Sequence, residues 1–183
     1  MDATKACLHK NPRLVVYPRT LSIGLTGSGE DKTLTQEDTS LLLSLERVES
    51  LRIMEIHFES ASTLLRLITD FRCLTRLSIR GHLNYDLLDW EIIPDLRHVR
   101  ISSLELGYLG PNHRGRDHLS ECMARTGSMN TLETFVGEWA NPQDIGTTQS
   151  VLDWNSPLLT HFKLELYFRD VLGMVRNDVQ GEH

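Results

Sequence analysis

The sequence predicts an α/β fold: a leucine-rich-repeat-like solenoid, with a curved parallel sheet, helices on its convex side and about six irregular repeats. Three observations predict it. A short pattern, apolar–x–x–apolar–x–apolar, recurs along the 183 residues. Within each copy apolar and polar residues alternate, as in a strand with one buried face. Between copies the apolar residues fall at helical spacing.

The pattern is clearest at Leu51-Arg52-Ile53-Met54-Glu55-Ile56, Leu74-Thr75-Arg76-Leu77-Ser78-Ile79 and Leu96-Arg97-His98-Val99-Arg100-Ile101. A fourth copy is Leu159-Thr160-His161-Phe162-Lys163-Leu164. Weaker copies run from Pro18 to Ile23 and from Leu132 to Gly137, where Pro18 and Gly137 each spoil one apolar slot. With the second apolar position as anchor, the anchors are Leu21, Met54, Leu77, Val99, Phe135 and Phe162, at intervals of 33, 23, 22, 36 and 27. The middle two lie within the span of roughly 20–29 residues typical of leucine-rich repeats, and the long ones require insertions.

The intervening stretches read as helices. Leu41, Leu42, Leu45 and Val48 share one face, as do Leu64, Leu67, Ile68 and Phe71. Thr35 followed by Asp38 predicts a capping box for the first, and Ser60 or Ser62 a cap for the second. Shorter helices are expected at Asp86–Trp90, Asp117–Arg125, Thr147–Trp154 and Asp170–Val179. Short strand–helix units imply parallel strands joined by right-handed crossovers. A Rossmann-like layer would want near-continuous apolar strands, and these alternate.

Length and composition fit a single domain over 1–183, with a flexible insertion at 24–36. The chain is 40% hydrophobic and 24% charged, with a net charge of -6, which disfavours a non-specific grip on nucleic acid. No apolar run is long enough to span a membrane, and the N-terminus lacks the apolar core of a secretory signal. Cys7, Cys73 and Cys122 are odd in number and match no metal-ligand spacing, so reduced thiols in an intracellular protein, cytoplasmic or nuclear, are expected.

With the anchors inward, three columns face solvent on the concave sheet. They read Thr20, Ile53, Arg76, His98, Thr134, His161; then Ser22, Glu55, Ser78, Arg100, Val136, Lys163; then Gly24, His57, Arg80, Ser102, Glu138, Glu165. The middle of this lattice is basic. The expected partner-binding set is therefore Arg76, Arg80, His98 and Arg100 with Glu55 and His57. Arginine forks suit carboxylate or phosphate, so the expected partner is a protein, acidic or phosphorylated. The plainer reading makes these solvated strand residues, some paired with Glu55. His57, His98 and His161 share the face but fall in different repeats and columns, and no metal is expected.

Motifs for chemistry mostly fail. Gly24 to Gly29 has the glycine spacing of a phosphate-binding loop, but Glu30 and Asp31 stand where lysine and threonine should follow. There is no Gly-x-Ser-x-Gly elbow and no His-Glu-x-x-His helix. Cys122 and His118 are four residues apart, yet Leu119, Cys122 and Met123 read better as the core stripe of a helix. Trp90, Trp139 and Trp154 are scattered packing residues rather than a base-stacking platform.

Asn11-Pro12-Arg13-Leu14 and Tyr17-Pro18-Arg19-Thr20-Leu21-Ser22-Ile23 resemble the junction where fungal F-box/leucine-rich-repeat proteins enter their first repeat. Leu51–Phe58, Leu74–Gly81 and Leu96–Leu104 are similar to the loose repeats of the same proteins. The resemblance covers the chain from about Asn11 to Phe168 and implies a repeat region that recruits substrates for ubiquitination. In that family an upstream F-box docks on the Skp-type adaptor of a cullin ubiquitin ligase. The few residues before Asn11 are too short for a three-helix module, so the F-box and its adaptor contact are not expected here.

The expected function is thus a protein–protein interaction module, not an enzyme, with no cofactor, no membrane and no nucleic acid. Two alternatives stay open: an α/β nucleotide-binding domain or enzyme using the loop at 24–33, and a truncated fragment without independent function. The strand near Leu21 has no evident cover, and an exposed edge there predicts dimerisation or poor solubility.

Overall fold

The computed structural model describes residues 10–24, 33–54, 56–58, 61–80, 96–107, 114–139, 144–155 and 158–166. A short 3-10 turn, Pro12–Val16, leads into β1 (Thr20–Gly24). Then come β2 (Thr33–Leu34), α1 (Gln36–Leu42), β3 (Ser50–Met54), β4 (His57–Phe58), α2 (Ala61–Asp70) and β5 (Arg76–Arg80). The chain continues through β6 (Ser103–Leu106), α3 (Arg114–Arg125), β7 (Thr134–Trp139), α4 (Asp144–Asn155) and β8 (His161–Leu166). The predicted helices at Asp86–Trp90 and Asp170–Val179 lie outside the described residues.

The α/β class is as expected. The main sheet has six strands in the order β1-β3-β5-β6-β7-β8, and every neighbouring pair is parallel. β2 and β4 form a separate two-stranded parallel sheet. In the main sheet, spatial order follows chain order throughout. There is accordingly no point among these strands where the order reverses, which is where open α/β sheets make their ligand crevice.

Register corrects two anchors. Leu21, Leu51, Leu77, Leu104, Phe135 and Phe162 lie side by side across the sheet. Met54 and Val99 are therefore not the inward anchors of their strands; Leu51 and Leu104 are. Met54 is 43% exposed, whereas Ile53, expected at the surface, is fully buried. A shift by an odd number of residues exchanges the two faces of a strand. The corrected spacings are 30, 26, 27, 31 and 27 residues, more even than the sequence pattern suggested.

One backbone device recurs at all five strand junctions. The carbonyls of Arg19, Glu49, Thr75, Ser102 and Glu133 each accept two consecutive N–H groups from the next unit. The donor pairs are Glu49/Ser50, Thr75/Arg76, Ser102/Ser103, Glu133/Thr134 and Thr160/His161, at 2.8–3.1 Å. In three units the hydroxyl of Thr75, Ser102 or Thr160 donates to the same carbonyl. The tight turns Phe71–Leu74, Leu96–Val99 and Met129–Leu132 precede these strands. After Val99, however, two additional residues, Arg100 and Ile101, intervene before Ser102 enters the staple. That insertion displaces Val99 from the strand.

One sheet face and the inner sides of the helices share a single apolar core. Leu51, Ile53, Leu77, Ile79, Leu104 and Leu106 supply the sheet side; Leu64, Leu67, Ile68, Leu119, Met123 and Val151 supply the helix side. At about 25 cal/mol per Å² of apolar surface, this burial is the main stabilising term. Gly137 fits because Phe135 fills its slot: a Cβ at Gly137 would stand 3.1 Å from Phe135 Cε1. Phe135 in turn stacks on Phe162, with centroids 6.0 Å apart.

The capping box forms as expected. The Thr35 side chain accepts from Asp38 N–H at 3.2 Å, and Asp38 Oδ2 accepts from Thr35 N–H at 3.4 Å. The helix ends earlier than its apolar stripe, at Leu42, because three-residue turns take over: Leu45 N–H bonds to the Leu42 carbonyl. Leu45 and Val48 are still buried. The segment at 24–36 is built into structure at both ends: Gly24 closes β1, Thr33 and Leu34 form β2, and Thr35 caps α1. Residues 25–32 lie outside the described residues.

Candidate functional site

The second face of the main sheet is not covered by the helical core. Its side chains alternate with the buried ones, so they stand in three columns across the strands. The first column is Thr20, Ser50, Arg76, Ser103, Thr134 and His161. The second is Ser22, Arg52, Ser78, Glu105, Val136 and Lys163. In the third, Gly24, Met54 and Arg80 are in register, as are Glu138 and Glu165, and Gly107 continues β6 by donating to the Ile79 carbonyl at 2.8 Å.

Arg80 is the centre of this face. It leaves β5, passes over Gly107 and reaches carboxylates on the next two strands. Nε donates to Glu105 Oε1 at 2.9 Å, and Nη2 makes an ion pair with the same oxygen. Nη1 stands 3.0 Å from Glu138 Oε1, a charge contact off the line of a hydrogen bond. Only a glycine permits the crossing, because a Cβ at Gly107 would stand 2.6 Å from Arg80 Cγ. The hydrogen bond to Glu105 raises the Arg80 pKa, against the opposing effect of burial, and the charges of Glu105, Glu138 and Glu165 add to the rise. Burial alone would raise the Glu105 carboxyl. Hydrogen bonds from Ser78 and Arg80, with the charges of Arg80 and Arg52, outweigh it and hold the carboxyl below its ordinary range.

The face is therefore divided by charge. Glu105, Glu138 and Glu165 lie towards β6–β8, where Lys163 pairs with Glu165 at 2.5 Å. Arg52 and Arg76 lie towards β3 and β5, on adjacent strands and diagonally opposed, with Ser50 facing Arg76 and Ser78 facing Arg52. Both arginines are exposed. Among the described residues neither makes an ion pair, whereas Arg19, Arg66, Arg80 and Arg125 each do.

Of the expected set, the structure keeps Arg76 and Arg80 on this face and removes others. Arg100 is not on the sheet: it sits in the inserted turn and donates through Nη1 to the carbonyls of Arg97 at 2.5 Å and Val99 at 3.2 Å. His98 is not on the sheet either. Its Nε2 lies 2.7 Å from the Thr69 carbonyl at the end of α2, and since a carbonyl only accepts, Nε2 carries the proton. His57 belongs to β4 in the small sheet, where it pairs with Thr33. Glu55 lies outside the described residues. Ser102, placed in the third column, instead supplies a staple carbonyl. Arg52 and Glu105 were missed because their strands were read three and five residues out of register. The cue was evenness of spacing: Val48-Glu49-Ser50-Leu51-Arg52-Ile53 and Ile101-Ser102-Ser103-Leu104-Glu105-Leu106 carry the same pattern at steadier intervals.

The structure does not bring His57, His98 and His161 together: they sit in β4, in the turn before β6 and at the start of β8. His161 Nδ1 is 2.9 Å from the Thr160 hydroxyl. Among the described residues there is no group of His, Cys, Asp or Glu suited to a metal ion. Thr33 starts a strand, so it does not stand at the helix N-terminus a phosphate-binding loop needs, and Lys32 lies outside the described residues. Cys122 is buried beside Leu119 and Met123, and burial pushes its thiol up to about 11, the reverse of what a nucleophile requires. Trp154 is 46% exposed, not packed. No described helix is long and apolar enough to cross a membrane.

In comparisons with protein-family models, curated proteins and solved structures, nothing matches this chain.

Proposed function

We propose that the chain is a leucine-rich-repeat-like interaction module whose open sheet face binds another protein, and that it is not an enzyme. The observation that carries the reading is the contrast between the two sheet faces. One is sealed by the core; the other presents a lattice of hydroxyls and charges with two exposed arginines, Arg52 and Arg76, outside any ion pair among the described residues. Supporting it are the strand order, which follows the chain without reversing, and the staple recurring at spacings of 26–31 residues. Both suit short stacked units of a curved solenoid.

The partner is a protein segment with an acidic or phosphorylated group for Arg52 and Arg76, which offer donor forks over a hydroxyl-rich floor. Arg80 holds the face's own carboxylates and orders the surface instead of meeting the partner. The likeness to F-box/leucine-rich-repeat proteins supports substrate recruitment to a ubiquitin ligase as the setting.

The test is an affinity capture with mass spectrometry, comparing the chain with an Arg52→Glu/Arg76→Glu variant matched in circular dichroism. Each differential protein is then purified and titrated against both forms by calorimetry. A partner that binds the chain and loses affinity at least tenfold with the variant supports the face, one tenfold step being about 1.4 kcal/mol. Equal binding to both forms removes it.

A further inference from the structure

The two ends of the main sheet are halves of the same junction. Each staple joins the carbonyl of one unit to two N–H groups of the next, and equivalent positions run Arg19, Glu49, Thr75, Ser102, Glu133, Thr160. Interior units use both halves. The first uses only its acceptor, Arg19 O, leaving the N–H groups of Arg19 and Thr20 pointing away from β3. The last uses only its donors, leaving the Thr160 carbonyl pointing away from β7. Among the described residues none of these three groups has a hydrogen-bond partner.

The side chains are unfinished in the same way. The inward column runs Leu21, Leu51, Leu77, Leu104, Phe135, Phe162. Its interior members are at most 1% exposed, whereas Phe162 is 44% exposed, and Leu158, four residues before it, is 52% exposed. At the other end Leu21 is only partly buried. An interior member is covered by the helical core and by its equivalents on both neighbouring strands, and Phe162 has such an equivalent on one side only, Phe135. What Phe162 lacks is a Leu21, and what Thr160 O lacks is an Arg19–Thr20 pair.

We infer that the partner of this end is a second copy of the chain, joined head to tail: β8 of one copy pairs in parallel with β1 of the next in the register of the internal junctions. Thr160 O then accepts from Arg19 and Thr20 N–H of the second copy, and Leu21 packs on Phe162. The contact joins two different surfaces, so it does not close on itself by two-fold symmetry and assembly continues past two chains. The inference stands on the sheet ends and is independent of the partner-binding face.

The test is sedimentation of the full chain over a wide concentration range. The weight-average mass is expected to climb through two chains without a plateau. Thr20→Pro removes an outward N–H and costs no bond to β3; Ser22→Pro serves the same purpose at the next outward N–H if the first variant does not fold. Phe162→Lys places a charge at the opposite end. Each variant, checked by circular dichroism, is expected to remain a single chain. Mixed, they are expected to form a species of two chains and no larger, since each supplies the intact end the other lacks. A chain that stays single at every concentration overturns the inference. So does a plateau at two, or a mixture that shows no association while the parent chain assembles.

Discussion

Gly107 and Arg80 share one space: the Cβ that glycine lacks would stand 2.6 Å from Arg80 Cγ and 2.9 Å from Glu138 Oε2. No real Cβ tolerates such a contact, so the backbone of β6 and the side chain of β5 are matched as a pair. The match lets one guanidinium reach across a strand and hold charges on two neighbours.

The first prediction concerns that crossing. Gly107→Ala should displace Arg80 from Glu138 and lower stability by about 1–3 kcal/mol, the usual cost of forcing a methyl into a filled site. Denaturant unfolding measures it. If overlap with Arg80 is the cause, the penalty should largely vanish in an Arg80→Ala background, where the Cγ is gone. An undiminished penalty there would place the strain in the contacts that remain, Glu138 Oε2 at 2.9 Å and the residue 80 Cβ at 3.1 Å.

The second prediction concerns acid. The carboxyl of Glu105 is held below its ordinary value of 4.5, with burial opposing and the bonds from Ser78 and Arg80 prevailing. A carboxyl held low when folded binds its proton more readily when unfolded. Its contribution is therefore complete above that ordinary value and is lost as pH falls through the lower, folded one. Arg80→Met removes the main counter-charge while burial remains. Stability at neutral pH should fall by about 2–3 kcal/mol, because Glu105 and the buried Glu138 both lose their ion pair with Arg80. The loss of stability on acidification should also become shallower. Adding Glu138→Gln should restore about 1 kcal/mol. Unfolding curves across acid pH for the three proteins give both results.

Much of this was legible because it is local. The alternation at Leu74–Ile79, the stripe Leu64, Leu67, Ile68, the Thr35–Asp38 box and the apolar setting of Cys122 need only neighbours in sequence, and each appears as read. Register is not local. At Leu51–Ile56 and again at Leu96–Ile101 two overlapping frames satisfy the same pattern, and only pairing with the next strand selects between them. The site suffered most, since an odd shift sends a strand's side chains to the opposite face. Arg76, Arg80, Glu138 and Glu165 were placed on the open face from sequence. The carboxylate of Glu105, which turns Arg80 from an exposed cation into an internal tie, depended on the frame after Arg100 and Ile101.

The last prediction separates the two described cysteines. Cys73 is exposed and Cys122 is 2% exposed. Burial, with a smaller push from Glu121 against the pull of Arg125, takes the Cys122 thiol to about 11. At pH 8 roughly a thousandth of it is then thiolate, the form that alkylates. In the folded chain iodoacetamide should label Cys73 promptly and leave Cys122 unlabelled, and denaturant should open Cys122; peptide mapping by mass spectrometry distinguishes them. The same shift has a thermodynamic sign. Between the ordinary thiol value of 9.0 and about 11, the unfolded chain releases a proton that the folded chain retains, so stability should decline as pH rises through this window. Cys122→Ala should remove that contribution to the alkaline decline, at a cost of about 1 kcal/mol for the small cavity it leaves. Rapid labelling of Cys122 in the folded chain would show that α3 opens from the core, and the thiol could then not be treated as part of the packed stripe with Leu119 and Met123.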